Sequence, residues 1–78
     1  MRVTGSALKR GYTEADIRHA LRYAVRVVPD QGYVDMYIGP APDGTMLEVG
    51  VTWDDDPRII HAMKARSKYW PIRKGQRR

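Results

Sequence analysis

The spacing of apolar residues changes once along the chain. Residues 13–24 follow a helical period, with four apolar positions on one face: Ile17, Ala20, Leu21 and Ala24. Thr13 stands before Glu14 and Asp16, which is typical of a helix N-cap followed by acidic residues in the first turn. This pattern predicts a helix over residues 14–24. A shorter helix is predicted over residues 6–10, ended by Gly11.

After residue 24 the pattern favours four strands joined by short turns. Residues 25–28 are rich in β-branched side chains, residues 33–38 and 46–53 alternate between apolar and polar, and a last strand covers residues 58–64. Asp43-Gly44 is a strong hairpin signal. In the last strand, alternation places Ile59 and His61 on the same face. Short turns favour antiparallel pairing, and the two helices are the available cover for one face.

The predicted fold is therefore α+β, with two N-terminal helices packed on a four-stranded antiparallel sheet in the order ααββββ. Residues 1–70 are predicted to form one domain, since 78 residues leave room for a single core. Residues 71–78 are predicted to be a basic, flexible tail.

Composition narrows the class of protein. Cysteine is absent, which excludes disulfides, thiolate zinc sites and cysteine nucleophiles. No apolar run approaches the roughly 20 residues that span a bilayer, and the N-terminus lacks the apolar core of a signal peptide. These features predict a cytoplasmic protein with no membrane partner.

The positive charge is concentrated at the C-terminal end. Residues 58–78 contain eight Lys or Arg and no acidic residue, whereas the first 57 residues contain six basic and nine acidic residues. One interpretation is a solubilising tail. The other is a phosphate-binding surface with aromatic rings that stack on bases. On the second interpretation the nucleic-acid-binding residues are Lys64, Arg66, Lys68, Trp70, Arg73 and Lys74.

Candidate chemistry lies in the same region. A histidine can act as a general acid or base near neutral pH, so His61 is the candidate catalytic group, with a structural role in the sheet as the alternative. Lys64 and Arg66 are the candidate phosphate clamp, and Tyr69 is a candidate stacking or hydrogen-bonding group. Consecutive carboxylates in a turn splay outward, so Asp54–Asp56 predicts no metal site, and no cofactor motif is present.

Two segments resemble the BrnT-like toxins of type II toxin–antitoxin systems. Residues 9–17, Lys-Arg-Gly-Tyr-Thr-Glu-Ala-Asp-Ile, resemble the Lys-His-Gly-Val-Ser-x-x-Glu-Ala segment that opens a helix in that family. Residues 58–66, Arg-Ile-Ile-His-Ala-Met-Lys-Ala-Arg, resemble the Arg-Ile-Ile-Ser-Ala-Arg-Lys-Ala segment at the end of a strand in the same family. Arg10 and Met63 stand where the family has His and Arg, which leaves His61 and Arg66 as candidate substitutes. The first strand of those toxins has no counterpart in the predicted elements.

The resemblance implies a fold similar to RelE-like ribonuclease toxins. It also implies RNA as the substrate. The implied partner is an antitoxin of the ribbon-helix-helix type, with which this chain would form an oligomer. The leading hypothesis is a metal-independent endoribonuclease toxin acting on mRNA. The alternative is a non-enzymatic module that binds RNA or a protein through the same basic end.

Overall fold

The computed structural model describes residues 1–71 of the chain. These residues form an α+β domain with a single five-stranded sheet and two short helices. The helices are α1 (Gly5–Leu8) and α2 (Glu14–Arg22). The strands are β1 (Arg2–Val3), β2 (Arg26–Pro29), β3 (Val34–Pro40), β4 (Met46–Thr52) and β5 (Arg58–Lys64). They lie in the order β1-β5-β4-β3-β2.

The predicted ααββββ architecture is wrong, because the sheet has a fifth strand and is mixed. β1 pairs in parallel with β5, whereas all other neighbours are antiparallel. Thr4 extends this contact, since its backbone N and its Oγ1 each donate to the Ile59 carbonyl at 3.0 Å. A strand of two residues has no period to detect, so the N-terminal sequence carries no signal for it.

α2 begins at a complete capping box. The Thr13 side chain accepts from the Asp16 backbone N at 3.1 Å, and the Asp16 carboxylate accepts from the Thr13 backbone N at 3.2 Å. The helix ends at Arg22, two residues before the predicted end, with Tyr23 as its C-cap. α1 likewise covers residues 5–8 rather than the predicted 6–10.

α2 lies directly on β3 at a glycine. A Cβ placed on Gly39 would collide with the Ala20 carbonyl oxygen and would lie 2.9 Å from the Ala24 Cα. The absence of a side chain at Gly39 therefore sets how closely the helix approaches the sheet.

Both faces of the sheet are covered, whereas the prediction placed a cover on one face. The helices cover a core that includes Ala7, Ile17, Ala20, Leu47, Val49, Val51, Ile59 and Ala62. On the opposite face, Tyr69 packs with Met36 and Ile38, joined by Ala65 and Trp70. Residues 65–70 thus fold back over the sheet after β5.

β5 contains a bulge that changes its predicted faces. Gly50 and Val51 of β4 pair with His61 and Ile59, so Ile60 is the extra residue. Ile59 consequently joins the core under the helices, while His61 lies on the face covered by residues 65–70. The prediction that Ile59 and His61 share a face is wrong for this reason.

Candidate functional site

The centre of the candidate site is a fully buried carboxylate on β4. Glu48 is 0% exposed. Its neighbours Leu47 and Val49 point into the core under the helices, so Glu48 points to the opposite face of the sheet. Its Oε2 accepts from His61 Nε2 at 2.8 Å, and its Oε1 accepts from the Arg66 backbone N at 2.9 Å. The Arg66 guanidinium also donates to Glu48, through Nε at 3.1 Å and through NH2 at 2.6 Å. This carboxylate therefore ties the end of β5 and the following segment to the middle of the sheet.

The electrostatics of this cluster keep Glu48 ionised. Burial alone raises the pKa of Glu48, but the hydrogen bonds from Arg66 and His61 outweigh burial and lower the pKa below the ordinary value for glutamate. The hydrogen bond between the Arg66 and Glu48 side chains also raises the pKa of Arg66. A charged carboxylate and a charged guanidinium are thus held together at the sheet surface.

His61 is oriented by this carboxylate. An ionised carboxylate only accepts hydrogen bonds, so the Nε2 of His61 must carry its proton toward Glu48. Nδ1 is then the nitrogen that can take up or release a proton. The ring sits opposite Gly50, where a Cβ would lie 3.0 Å from the His61 Cβ, so glycine leaves the space that the imidazole needs. The His61 side chain is 22% exposed. A carboxylate-oriented imidazole with partial access to solvent is suited to general acid–base chemistry.

Arg66 combines a buried contact with an exposed surface. Its side chain is 46% exposed, even though two of its nitrogens bind Glu48. The guanidinium can therefore meet an anion from solvent while Glu48 holds its position.

Cations and aromatic rings continue along the segment after β5. The Arg66 Cζ lies 5.6 Å and the Lys68 Nζ 4.9 Å from the centroid of the Tyr69 ring. Tyr69 itself is only 5% exposed, and its hydroxyl donates to Asp30 Oδ1 at 3.4 Å. The structure therefore places Tyr69 in the packing of this face rather than at its surface.

Arg26 is a part of the site that the sequence reasoning missed. It lies on β2, donates from NH1 to the Tyr69 carbonyl at 2.6 Å, and holds its guanidinium 5.2 Å from the centroid of Trp70. The signal for it was a single arginine between Val25 and Val27, in a segment that is otherwise rich in β-branched residues. Glu48 carried the same kind of signal, as the one charged residue in β4. Glu48 is the buried one of the two, and a buried charge requires a partner.

We call the candidate surface the basic face. It is formed by side chains of β2, β5 and the segment that follows β5: Arg26, His61, Arg66, Lys68 and Trp70. Lys64 pairs with Leu47 of the helix-covered core, so strand alternation places its side chain on the opposite face of the sheet from His61. Lys64 is exposed at the end of β5, and Lys68 is exposed in the following turn. Arg73 and Lys74, together with the predicted tail from residue 72 onward, lie outside the described residues.

The second histidine of the chain and the acidic turn lie away from the basic face. His19 is on α2, where Nδ1 donates to the Pro40 carbonyl at 2.7 Å. In the acidic turn, Asp54 and Asp56 both approach Arg58. Among residues 1–71, no group of three or more His, Cys, Asp or Glu side chains is placed to hold a metal ion.

Comparisons with known protein families, with curated proteins and with solved structures found no match to this chain. The resemblance to BrnT-like toxins remains a prediction that depends on the two segments quoted above. None of the helices within residues 1–71 has the length and apolarity needed to cross a membrane.

Proposed function

We propose that this chain is the toxin of a toxin–antitoxin pair and cleaves mRNA on the basic face without a metal ion. The observation that carries the proposal is the buried Glu48, which holds His61 and Arg66 at one carboxylate. A partly exposed histidine and an exposed guanidinium, held side by side, can serve RNA cleavage as a general base and a charge-stabilising cation. The two segments that resemble BrnT-like toxins support the same function, and they are the basis for proposing an antitoxin of the ribbon-helix-helix type as partner.

The proposed reaction is an internal transfer at the phosphodiester. His61 Nδ1 accepts the proton of the ribose 2′-hydroxyl, and the 2′-oxygen attacks the adjacent phosphorus. The bond to the 5′-oxygen breaks, which leaves a 2′,3′-cyclic phosphate, and the protonated imidazole returns its proton to the departing 5′-oxygen. Glu48 stabilises the imidazolium between these steps, as a positioning residue. Arg66 stabilises the charge that develops on the phosphoryl oxygens.

Two exposed lysines are proposed to hold the RNA chain. Lys68 lies on the basic face, and Lys64 lies at the end of β5, where its side chain starts from the opposite face of the sheet. Each lysine that neutralises a phosphate releases counterions and strengthens binding independently of base sequence. Because Tyr69 is buried, Trp70 is the aromatic group proposed to contact RNA, and Arg26 lies against its ring.

The test is incubation of the purified chain with mRNA in EDTA, followed by analysis of the product ends. We expect cleavage with 2′,3′-cyclic phosphate ends, and a loss of about 100-fold or more in His61→Asn, which is the usual contribution of a general base. His19→Asn is the matched control, since His19 lies on α2 and donates to the Pro40 carbonyl, away from the basic face. Full activity in a folded His61→Asn protein would contradict the assignment of His61.

A second candidate is RNA binding without cleavage, and one observation favours it. Both carboxylate oxygens of Glu48 are directed at His61 or Arg66, which is also what a purely structural clamp requires. In that case His61→Asn would keep the full biological effect and the full affinity for RNA. Affinity would still fall as salt rises, with a logarithmic slope of about 0.7 for each phosphate that the protein neutralises. A flat salt response would instead indicate a protein partner.

A further inference from the structure

An open cleft adjoins the basic face at the end of the sheet. It has a volume of about 450 Å³ and lies between the β3–β4 hairpin and the segment after β5. Its lining includes Asp43, Thr45, Met46, Lys64, Ala65 and Trp70. The cleft thus combines an aromatic ring, apolar side chains, one cation and one carboxylate, in a volume suited to a small organic group.

We propose that this cleft binds a guanine base of the RNA held on the basic face, with Trp70 as the stacking group and Asp43 as the residue that selects guanine. The inference rests on the proposed action on RNA and adds a base preference to it.

The aromatic part of the cleft favours a flat ligand. Trp70 is half-buried, and the Arg26 guanidinium lies 5.2 Å from the centroid of its ring, which restrains the indole. A restrained aromatic side chain at the edge of a nucleic-acid surface is a stacking platform for a base. Met46 and Ala65 supply an apolar wall, because both belong to the cluster that includes Trp70.

The carboxylate of Asp43 favours guanine over the other bases. Its Oδ1 accepts from the Thr45 backbone N at 2.9 Å, which fixes the side chain in the hairpin turn. This backbone hydrogen bond lowers the pKa of Asp43, so the group is ionised at neutral pH. Guanine presents two adjacent N–H donors, N1 and N2, on its Watson–Crick edge, whereas adenine, cytosine and uracil each place an acceptor beside their donor. A carboxylate also repels phosphate, so the cleft suits a base and not the backbone.

The position of the cleft links it to the proposed chemistry. Met46 precedes Glu48 by two residues on the same face of β4, a separation of about 7 Å. A base bound beside Met46 therefore places a neighbouring phosphate within reach of the Glu48–His61–Arg66 cluster. Trp70 lines the cleft and belongs to the basic face, so the two regions are continuous.

The experiment uses the fluorescence of Trp70 in the full chain. The chain has two tryptophans, Trp53 and Trp70, so Trp53→Phe leaves Trp70 as the single reporter. The probes are 2′-O-methyl RNA hexamers, which lack the attacking hydroxyl and stay intact. One hexamer contains a single guanine in a uracil background, and the others carry adenine, cytosine or uracil at that position. We expect quenching of Trp70 and an affinity about tenfold higher for the guanine hexamer.

Variants separate the carboxylate from general charge effects. Asp43→Asn retains an oxygen that can accept from Thr45, so the turn is preserved while the guanine preference should fall to about twofold or less. Asp55→Asn removes an exposed carboxylate in a different turn and should leave the preference intact.

The outcomes distinguish the base preference from the proposed function. Salt-dependent binding of all hexamers without a change in Trp70 fluorescence would overturn the cleft as a base site and leave RNA binding in place. Quenching with equal affinity for the four hexamers would overturn the guanine assignment. The absence of binding to every hexamer at low salt would overturn the proposed action on RNA itself.

Discussion

Replacing Glu48 by glutamine measures how much the buried carboxylate contributes to the fold. The change keeps the size of the side chain but turns one acceptor oxygen into a donor that faces the donors of His61 or Arg66. Breaking a buried ion pair by removing one partner costs about 3–5 kcal/mol. The Arg66 side chain is 46% exposed and regains hydration, so we expect a smaller loss, about 2–3 kcal/mol. That is a large share of the roughly 4–12 kcal/mol expected for a domain of this length.

The assay is urea or thermal unfolding followed by circular dichroism. A loss of 2–3 kcal/mol corresponds to a decrease of about 10–20 °C in Tm for a domain of this size. The matched control is Glu14→Gln, because Glu14 pairs with Arg18 at the surface, where both side chains are about half exposed. That variant should lose about 0.5 kcal/mol or less.

Acid unfolding provides a second measurement on the same variant. The folded-state pKa of Glu48 lies below its unfolded value, so its stabilisation is complete above about pH 4.5 and is lost as pH falls through the folded pKa. The difference in stability between wild type and Glu48→Gln should therefore shrink below about pH 4.5. A loss of less than about 0.5 kcal/mol at neutral pH, with the same acid profile as wild type, would refute the assignment of Glu48 as the tie between sheet and C-terminal segment.

Two further substitutions test the packing of α2. Gly39→Ala should lose about 3 kcal/mol in urea unfolding, because the added methyl meets the backbone of Ala20 and Ala24, whereas Gly5→Ala meets open space and should change stability by about 0.5 kcal/mol or less. A tolerated Gly39→Ala would contradict the close approach of α2 to β3. Thr13→Ala removes the N-cap and should lose about 1 kcal/mol, with faster amide exchange in the first turn of α2, and unchanged exchange there would contradict the role of the cap.

Local signals identified the elements whose causes lie within a few residues. The cap at Thr13 and the apolar spacing after it are contained in α2, so its position was predictable to within two residues at the C-terminal end. The Asp43-Gly44 turn was likewise predictable from local sequence, and it joins β3 to β4. Gly44 adopts a φ of 90° there, which glycine accepts readily. The alternation along β4 placed Leu47 and Val49 in the core.

Features that depend on distant partners were not predictable in the same way. β1 exists because residues 2–3 meet β5, which lies far along the chain, and two residues carry no period. The bulge at Ile60 moved His61 away from the face of Ile59, since one extra residue reverses the alternation. Neither effect leaves a local mark in the sequence.

The candidate site shows the same distinction between local features and features that depend on distant residues. The cations were identifiable from the chain alone, since the positive charge after residue 57 and the presence of His61, Lys64 and Arg66 are properties of the residues themselves. That Glu48 joins two of them depends on packing, because the segment after β5 folds back across β4 and removes the carboxylate from water. A strand pattern shows which face a residue is on, but the burial of that face depends on what packs over it, and here the covering residues come from the segment after β5, beyond the next strand of the chain.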